Sequence, residues 1–240
     1  MYQNDFSSSF SGFTTTSAVL DSTGPGGSQA AHITDSSTSA GGLSSILAFN
    51  NAAVASFNTS PGQTLVISAD FAVTSLFADP VNSNSIPRLR LQSPSAASSD
   101  LFVGFGQNSA NKLVLFAARG DNPQPGTNPV LFNFGDYDTA TGSNNDTNGF
   151  WNITITYVDQ ATTAKVTATQ GATSVSVDLN GFAPVSFSHS STQTFGMITG
   201  QSSTTSIYLD NVNIQVVPEP SVVALGMVSS VGLLALRRRR

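Results

Sequence analysis

Asp136 and Asp138, two residues apart, are the pair in this chain whose types and spacing come nearest to an acid–base site. On a strand, residues i and i+2 share a face. Two carboxyl groups held about 5 to 5.5 Å apart can serve as nucleophile and acid in retaining glycoside cleavage. The plainer reading is a loop rim or a cation site, because no companion acid or aromatic platform accompanies the pair. The surrounding segment, Gly135 to Gly149, is the densest run of oxygen donors, with Asp136, Asp138, Asn144, Asp146 and Asn148. Calcium takes about six to eight hard oxygens, so this is a candidate calcium loop. Asn, Asp and Gly also dominate ordinary turns, and EF-hand spacing is absent.

Other chemistries find less material. The chain has two histidines, His32 and His189, and neither the Ala31-His32-Ile33-Thr34 nor the Phe187-Ser188-His189-Ser190 context resembles a nucleophile elbow. There is no cysteine, which excludes disulfides, thiolate catalysis and cysteine-ligated zinc. For sugar contact through an exposed ring, the candidates are Trp151, Tyr137 and Tyr208. Strand alternation sends one of Phe150 and Trp151 to the core and the other to solvent or a groove. With 16 phenylalanines against one tryptophan and four tyrosines, the aromatics are mostly core filling.

The elements that must position these residues are strands. Period-two alternation recurs at Thr64 to Phe77, Pro87 to Leu91, Asn152 to Val158, Ala164 to Thr169 and Ser174 to Leu179, each with one buried and one wet face. Leu101 to Gly106, Lys112 to Ala117 and Val130 to Phe134 are more continuously apolar. Turn signals separate them, among them Ser60-Pro61-Gly62 and Gln170-Gly171. No amphipathic helix precedes residue 218. About a dozen short strands within about 210 residues imply an all-β fold: two antiparallel sheets packed as a jelly-roll sandwich.

Of 240 residues, 39% are hydrophobic and only 10% charged, against about 25% charged in an ordinary soluble domain. Four of the nine basic residues are Arg237 to Arg240 and one of the fourteen acids is Glu219, which leaves residues 1–217 with five basic and thirteen acidic residues, a formal charge of −8. Such a domain does not bind nucleic acid by neutralising phosphates.

The segments Asp5-Phe6-Ser7, Ser68 to Phe71, Val103 to Gly106 followed by Asn111 to Leu115, Phe150 to Ile155 and Ile207 to Ile214 together resemble the concanavalin A-like lectin/glucanase family in its laminin-G-like form. That resemblance implies a sandwich over Asp5 to Val216. Glucan-cleaving members use two glutamates on one strand, whereas the only glutamate here is Glu219, outside the sandwich. In related carbohydrate-binding jelly rolls, an acid near the first strand and one on the last share a structural calcium, and Asp5 and Asp210 occupy comparable places. The bland alternative is that Asp210 and Asn211 merely end an edge pairing.

The chain closes with Pro218, Glu219 and Pro220, an uncharged run from Ser221 to Leu236, and Arg237, Arg238, Arg239 and Arg240. As a single hydrophobic helix the run is roughly 24 Å long, near the span of a bilayer core once flanking valines and snorkelling arginines are included. The terminal arginines favour the cytoplasmic side, placing the preceding residues across the membrane. Pro218 and Pro220 stop the helix from running back into the last strand. This order of parts closely resembles the PEP-CTERM sorting signal, which implies an exosortase-type protease-transpeptidase as partner and anchoring in the inner membrane until processing. Residues 1–10 carry neither a basic nor an apolar leader region, so export calls for a signal peptide upstream of Met1.

The expectation is therefore an exported sandwich domain at 1–217 and a sorting tail at 218–240. Its function is expected to be non-enzymatic, at the cell surface or in extracellular matrix, with polysaccharide as partner and calcium as a structural cofactor. The alternatives are a divergent glycan hydrolase or lyase using Asp136 and Asp138, and an adhesive protein without sugar specificity.

Overall fold

The computed structural model describes residues 2–9, 13–15, 18–22, 29–34, 43–49, 59–75, 88–91, 100–120, 128–136, 149–181, 195–200 and 206–218. Asp138, Tyr137, Asn144, Asp146, Asn148 and His189 lie outside the described residues, as do Glu219, Pro220, the expected C-terminal helix and the four terminal arginines.

Alternation along the chain becomes two antiparallel sheets. The first has eight strands, in the order β13 (Thr173–Asn180), β12 (Thr163–Gln170), β11 (Trp151–Val158), β6 (Thr64–Ser75), β15 (Ser206–Val217), β4 (Ala30–Thr34) and β3 (Val19–Asp21), with β1 (Tyr2–Asn4) also paired to β15. The second has seven: β10 (Val130–Asp136), β9 (Lys112–Arg119), β8 (Leu101–Gln107), β7 (Arg88–Leu91), β14 (Phe195–Gly200), β5 (Leu43–Phe49) and β2 (Phe13–Thr15). Consecutive strands pair as antiparallel neighbours in β11–β12–β13 and β7–β8–β9–β10, while strands distant in sequence also adjoin, as β6 does both β11 and β15.

The core lies between the sheets and takes every second side chain. From the eight-stranded sheet come Leu65, Ile67, Ala69, Phe71 and Val73 of β6 and Trp151, Ile153, Ile155 and Tyr157 of β11. From the seven-stranded sheet come Leu101, Val103 and Phe105 of β8 and Leu113, Leu115 and Ala117 of β9. Register agrees with this sorting, since Ile153 lies opposite Ala69 and Ile155 opposite Ile67. A non-polar face of this size stabilises by about 25 cal/mol per Å² removed from water, which holds two otherwise independent sheets together.

Turn chemistry closes the elements where the sequence signals it. The Gln63 amide donates to the Ser60 carbonyl at 2.9 Å, with Pro61 and a positive-φ Gly62 at the central positions, the arrangement of a type II turn. Between β12 and β13, Gln170 pairs with Thr173 and the two-residue loop begins with Gly171 at φ +57°, as tight hairpins require. Alternation did not single out β1 to β5, β14 or β15: the first six are short or interrupted by small residues, and β15 breaks its register between Asp210 and Asn213.

Candidate functional site

The geometry around the end of β1 begins with a change of parity in β15. Its core-facing residues are Ile207 and Leu209, then Val212 and Ile214. Three residues separate Leu209 from Val212, which a regular strand cannot accommodate with both side chains on one face. A β-bulge does: Asp210 lies opposite Asp70 and Asn213 opposite Ser68, so Asn211 and Val212 together face one residue of β6. Asn211 has φ +49°, a left-handed conformation that asparagine adopts more readily than most residues. The bulge turns Asp210 and Asn211 together to the outer face.

That face holds a carboxylate–amide network. Like charges directly opposite on neighbouring strands repel, and Asp70 and Asp210 are so placed. Amide donors offset the repulsion: Asp70 accepts from Asn152 Nδ2 and from Asn211 Nδ2, each at 2.8 Å, and Asp210 Oδ1 accepts from the Asn211 backbone N–H at 2.8 Å. Asn211 therefore serves both carboxylates.

Beside this network is a cleft of about 590 Å³. Gln3 and Asp5 form one wall, Ser8 and Ser9 another, and Ser68 of β6 with residues 211–213 of β15 the floor. The segment is fastened by Phe6, wholly buried in the core at φ +48°, an uncommon conformation for a bulky residue that burial holds in place. Asp5 remains exposed, and its Oδ1 accepts from the Ser7 backbone N–H at 3.0 Å. That bond, with help from the Ser7 hydroxyl, holds the Asp5 carboxyl below its ordinary pKa, so it is ionised at neutral pH. Asn213 Oδ1 is buried and accepts no hydrogen bond among the described residues. A buried acceptor without a donor is uncommon in a folded chain and calls for a partner.

The other sequence candidates are dispersed. Trp151 is 1% exposed and packs against Phe132 and Phe134 at ring-centroid separations of 4.8 and 5.7 Å, so it is a core residue and offers no ring face to a sugar. Its neighbour Phe150 packs instead against Tyr208, Ala30 and Ala72. Tyr208 is also buried, stacked on His32 with ring centroids 4.3 Å apart and planes 9° from parallel. His32 Nδ1 meets Asp21 Oδ2 at 2.8 Å. Burial pushes the His32 pKa below its usual value, although the Asp21 carboxylate opposes the shift.

Asp136 is exposed at the end of β10 and bonds the Lys112 ammonium across the β9–β10 pair, far in the topology from the β1–β15 cleft. Asp5 follows the last residue of β1, Asn4, which pairs with Val212 of β15, and it lines the cleft together with Asn211. Among the described residues, no three acidic or imidazole side chains converge as a metal cage.

Sequence reading missed Gln3, Ser68 and Asn213. Each is an ordinary polar residue on the wet side of a strand, and only the β1–β15–β6 register brings them together, with Gln3 opposite Asn213 and Asn213 opposite Ser68.

No family model matches the chain, and no curated protein matches it in sequence. Solved structures do match in fold. Lotus tetragonolobus seed lectin aligns with a TM-score of 0.54 at 10% identity, over 91% of this chain and 99% of that one. The lectin of Bauhinia forficata, solved with GalNAc, aligns with a TM-score of 0.53 at 7% identity, over 90% and 97%. Lectin I of Ulex europaeus, solved with the methyl glycoside of α-L-fucose, aligns with a TM-score of 0.51 at 13% identity, over 90% and 97%. The chain has the lectin-like, concanavalin A-like jelly-roll fold.

Proposed function

We propose that this is a non-enzymatic carbohydrate-binding protein of the cell surface or extracellular matrix. The observation that carries the reading is the lectin-like sandwich bearing a cleft walled by hydroxyl, amide and carboxylate groups, the groups that hydrogen-bond a polyol. The solved lectins of the same fold, two of them holding a sugar, add support by analogy of fold. The glutamate dyad of the fold's glucanases has no counterpart in a sequence whose only glutamate is Glu219. Binding on an array of bacterial and plant glycans, followed by incubation with the bound oligosaccharides, tests the reading. Retention without new reducing ends is expected, and released product would overturn it in favour of a hydrolase.

Export and sorting belong to the same proposal and rest on the tail from Pro218 to Arg240. An exosortase-type enzyme would recognise Pro218-Glu219-Pro220 while the apolar run holds the protein in the inner membrane. Replacing the three residues by alanine in the native host should trap the protein in the membrane fraction. Unchanged release would sink the sorting role. Calcium at the Gly135 to Gly149 loop is a further element, carried by its oxygen-donor density. A calcium-dependent rise in unfolding temperature that is lost in Asp146→Ala would support it, and a chelator-insensitive protein would remove it.

A further inference from the structure

The cleft at the end of β1 has a lining whose chemistry is unusually one-sided. Apart from Val212, which belongs to the core, the described lining side chains are hydroxyls, primary amides and one carboxylate, with neither a lysine, an arginine nor an aromatic ring among them. Amides and hydroxyls can donate or accept, but the Asp5 carboxylate only accepts. A ligand satisfying this site must bring donors. Just beyond the floor, Asp70 and Asp210 add two carboxylates on the same face, both already served by amides. An incoming anion would meet these charges and Asp5 with no cation among the described lining residues to offset them.

We propose that this cleft is the saccharide subsite and that it takes an uncharged or amine-bearing sugar residue while rejecting uronate and sulfated residues. The assignment rests on the carbohydrate-binding reading above and adds where the sugar sits and which class it belongs to. Vicinal hydroxyls of a sugar ring present paired donors. One pair can span the Asp5 carboxylate, which is exposed and lines the cleft, while the Asn211 and Asn213 amides line it from β15. The Ser8, Ser9 and Ser68 hydroxyls and the Gln3 amide adapt to either polarity and complete the ring of contacts. A volume of about 590 Å³ falls within the range of about 300 to 1,000 Å³ typical of small-molecule sites.

Asn213 separates a binding role from a structural one. A residue that holds the fold loses stability when truncated, whereas Asn213 lines the cleft and its Oδ1 has no hydrogen-bond partner among the described residues. Asn213→Ala should leave the unfolding midpoint unchanged or raised and still weaken sugar binding about fivefold, the worth of one neutral hydrogen bond. Asp5→Asn removes a charge-assisted acceptor at an exposed position and should weaken binding about tenfold or more. Thr156→Ala, on the same sheet face but outside the cleft, should change nothing.

The experiment is calorimetric titration of the full chain and the three variants with neutral hexose oligosaccharides, a chitosan oligomer and a uronate oligomer of matched length. Neutral or amine-bearing ligands binding at least tenfold tighter than the uronate, with the stated losses in Asp5→Asn and Asn213→Ala, is the expected result. If the parent binds neutral sugars and both variants bind equally well, the cleft assignment falls while the carbohydrate-binding reading stands. If the uronate binds as tightly or more tightly, the charge selectivity falls. If the parent binds none of the glycans, on the array or in solution, both readings fall together.

Discussion

The outer faces of the two sheets are built from the same kind of strand and come out opposite in character. On the seven-stranded sheet, Phe102, Val114, Phe116 and Ala118 form a second apolar layer on the side away from the core, and all are closed off from solvent. Gly104 and Gly106 of β8 face Phe116 and Val114 across the strand pair, so the large side chains of β9 lie over positions with no side chain. Arg88 and Arg90 of β7 flank the layer, with their guanidinium groups 5.1 and 5.7 Å from the centre of the Phe102 ring. On the eight-stranded sheet the outer face carries, beside the small Ala30, Ala72 and Tyr208 cluster, a lattice of hydroxyls and amides. One register row runs Gln3, Asn213, Ser68, Thr154, Thr167, Ser176 across six strands. The first face supports the fold and the second is free to meet a ligand. Continuous apolar runs mark strands covered on both sides, and strict alternation marks strands with one side left wet.

The largest test of that contrast is Phe116→Ala. On a doubly covered strand it should cost about 3–5 kcal/mol in denaturant unfolding, as deletion of a buried ring does. Thr156→Ala on the wet face should stay within about 0.5 kcal/mol. Equal effects would mean that the two faces do not differ in structural weight.

Arg90→Ala comes next. Asp100 is wholly buried and receives the Arg90 Nε–H at 3.0 Å, so the truncation removes a charge-assisted partner from a buried carboxylate. Because Arg90 is itself partly exposed, the expected cost is discounted to about 2–3 kcal/mol. A loss below about 0.5 kcal/mol would show that water reaches Asp100.

Arg88 sharpens the comparison through pH. Burial, with the neighbouring Arg90 charge adding to it, pushes the Arg88 pKa down to about 10. The unfolded chain then binds more protons than the folded one above pH 10, so this residue's contribution to stability rises with pH in that window. Below it, the charged Arg88 opposes folding. Arg88→Met should therefore be as stable as the parent or more so at neutral pH, and the difference should shrink as pH climbs past 10. A variant less stable at neutral pH, with a gap independent of pH, would contradict the desolvated arginine.

The smallest expected effect is none. Trp151 is the chain's only tryptophan and is sealed in the core, so its emission should be blue-shifted and should not respond to a saturating sugar. A large ligand-induced change would move the binding surface toward the core end of β11.

Much of the sandwich was legible because alternation is a local property. The runs at Thr64, Asn152, Ala164 and Ser174 each became a strand with the expected inward set, and Leu101 to Gly106 and Lys112 to Ala117 became the doubly buried pair. Little of the candidate site was legible. Trp151 has the composition of a sugar platform, but it sits at an inward position of β11, and period two decides its side before chemistry does. Gln3, Ser68 and Asn213 have no spacing in common, being brought together by antiparallel pairing of segments far apart in sequence.

Sequence alone determined the all-β class, the polar, charge-poor surface, the lack of cysteine chemistry and the isolation of Glu219 from the sandwich, because composition and local periodicity survive without knowledge of neighbours. Tertiary structure decided which wet face forms a cleft and which amide is left facing into it. A single bulge at Asp210 to Asn213 shifts the parity of β15, and a bulge is a relation between two strands that no one segment encodes.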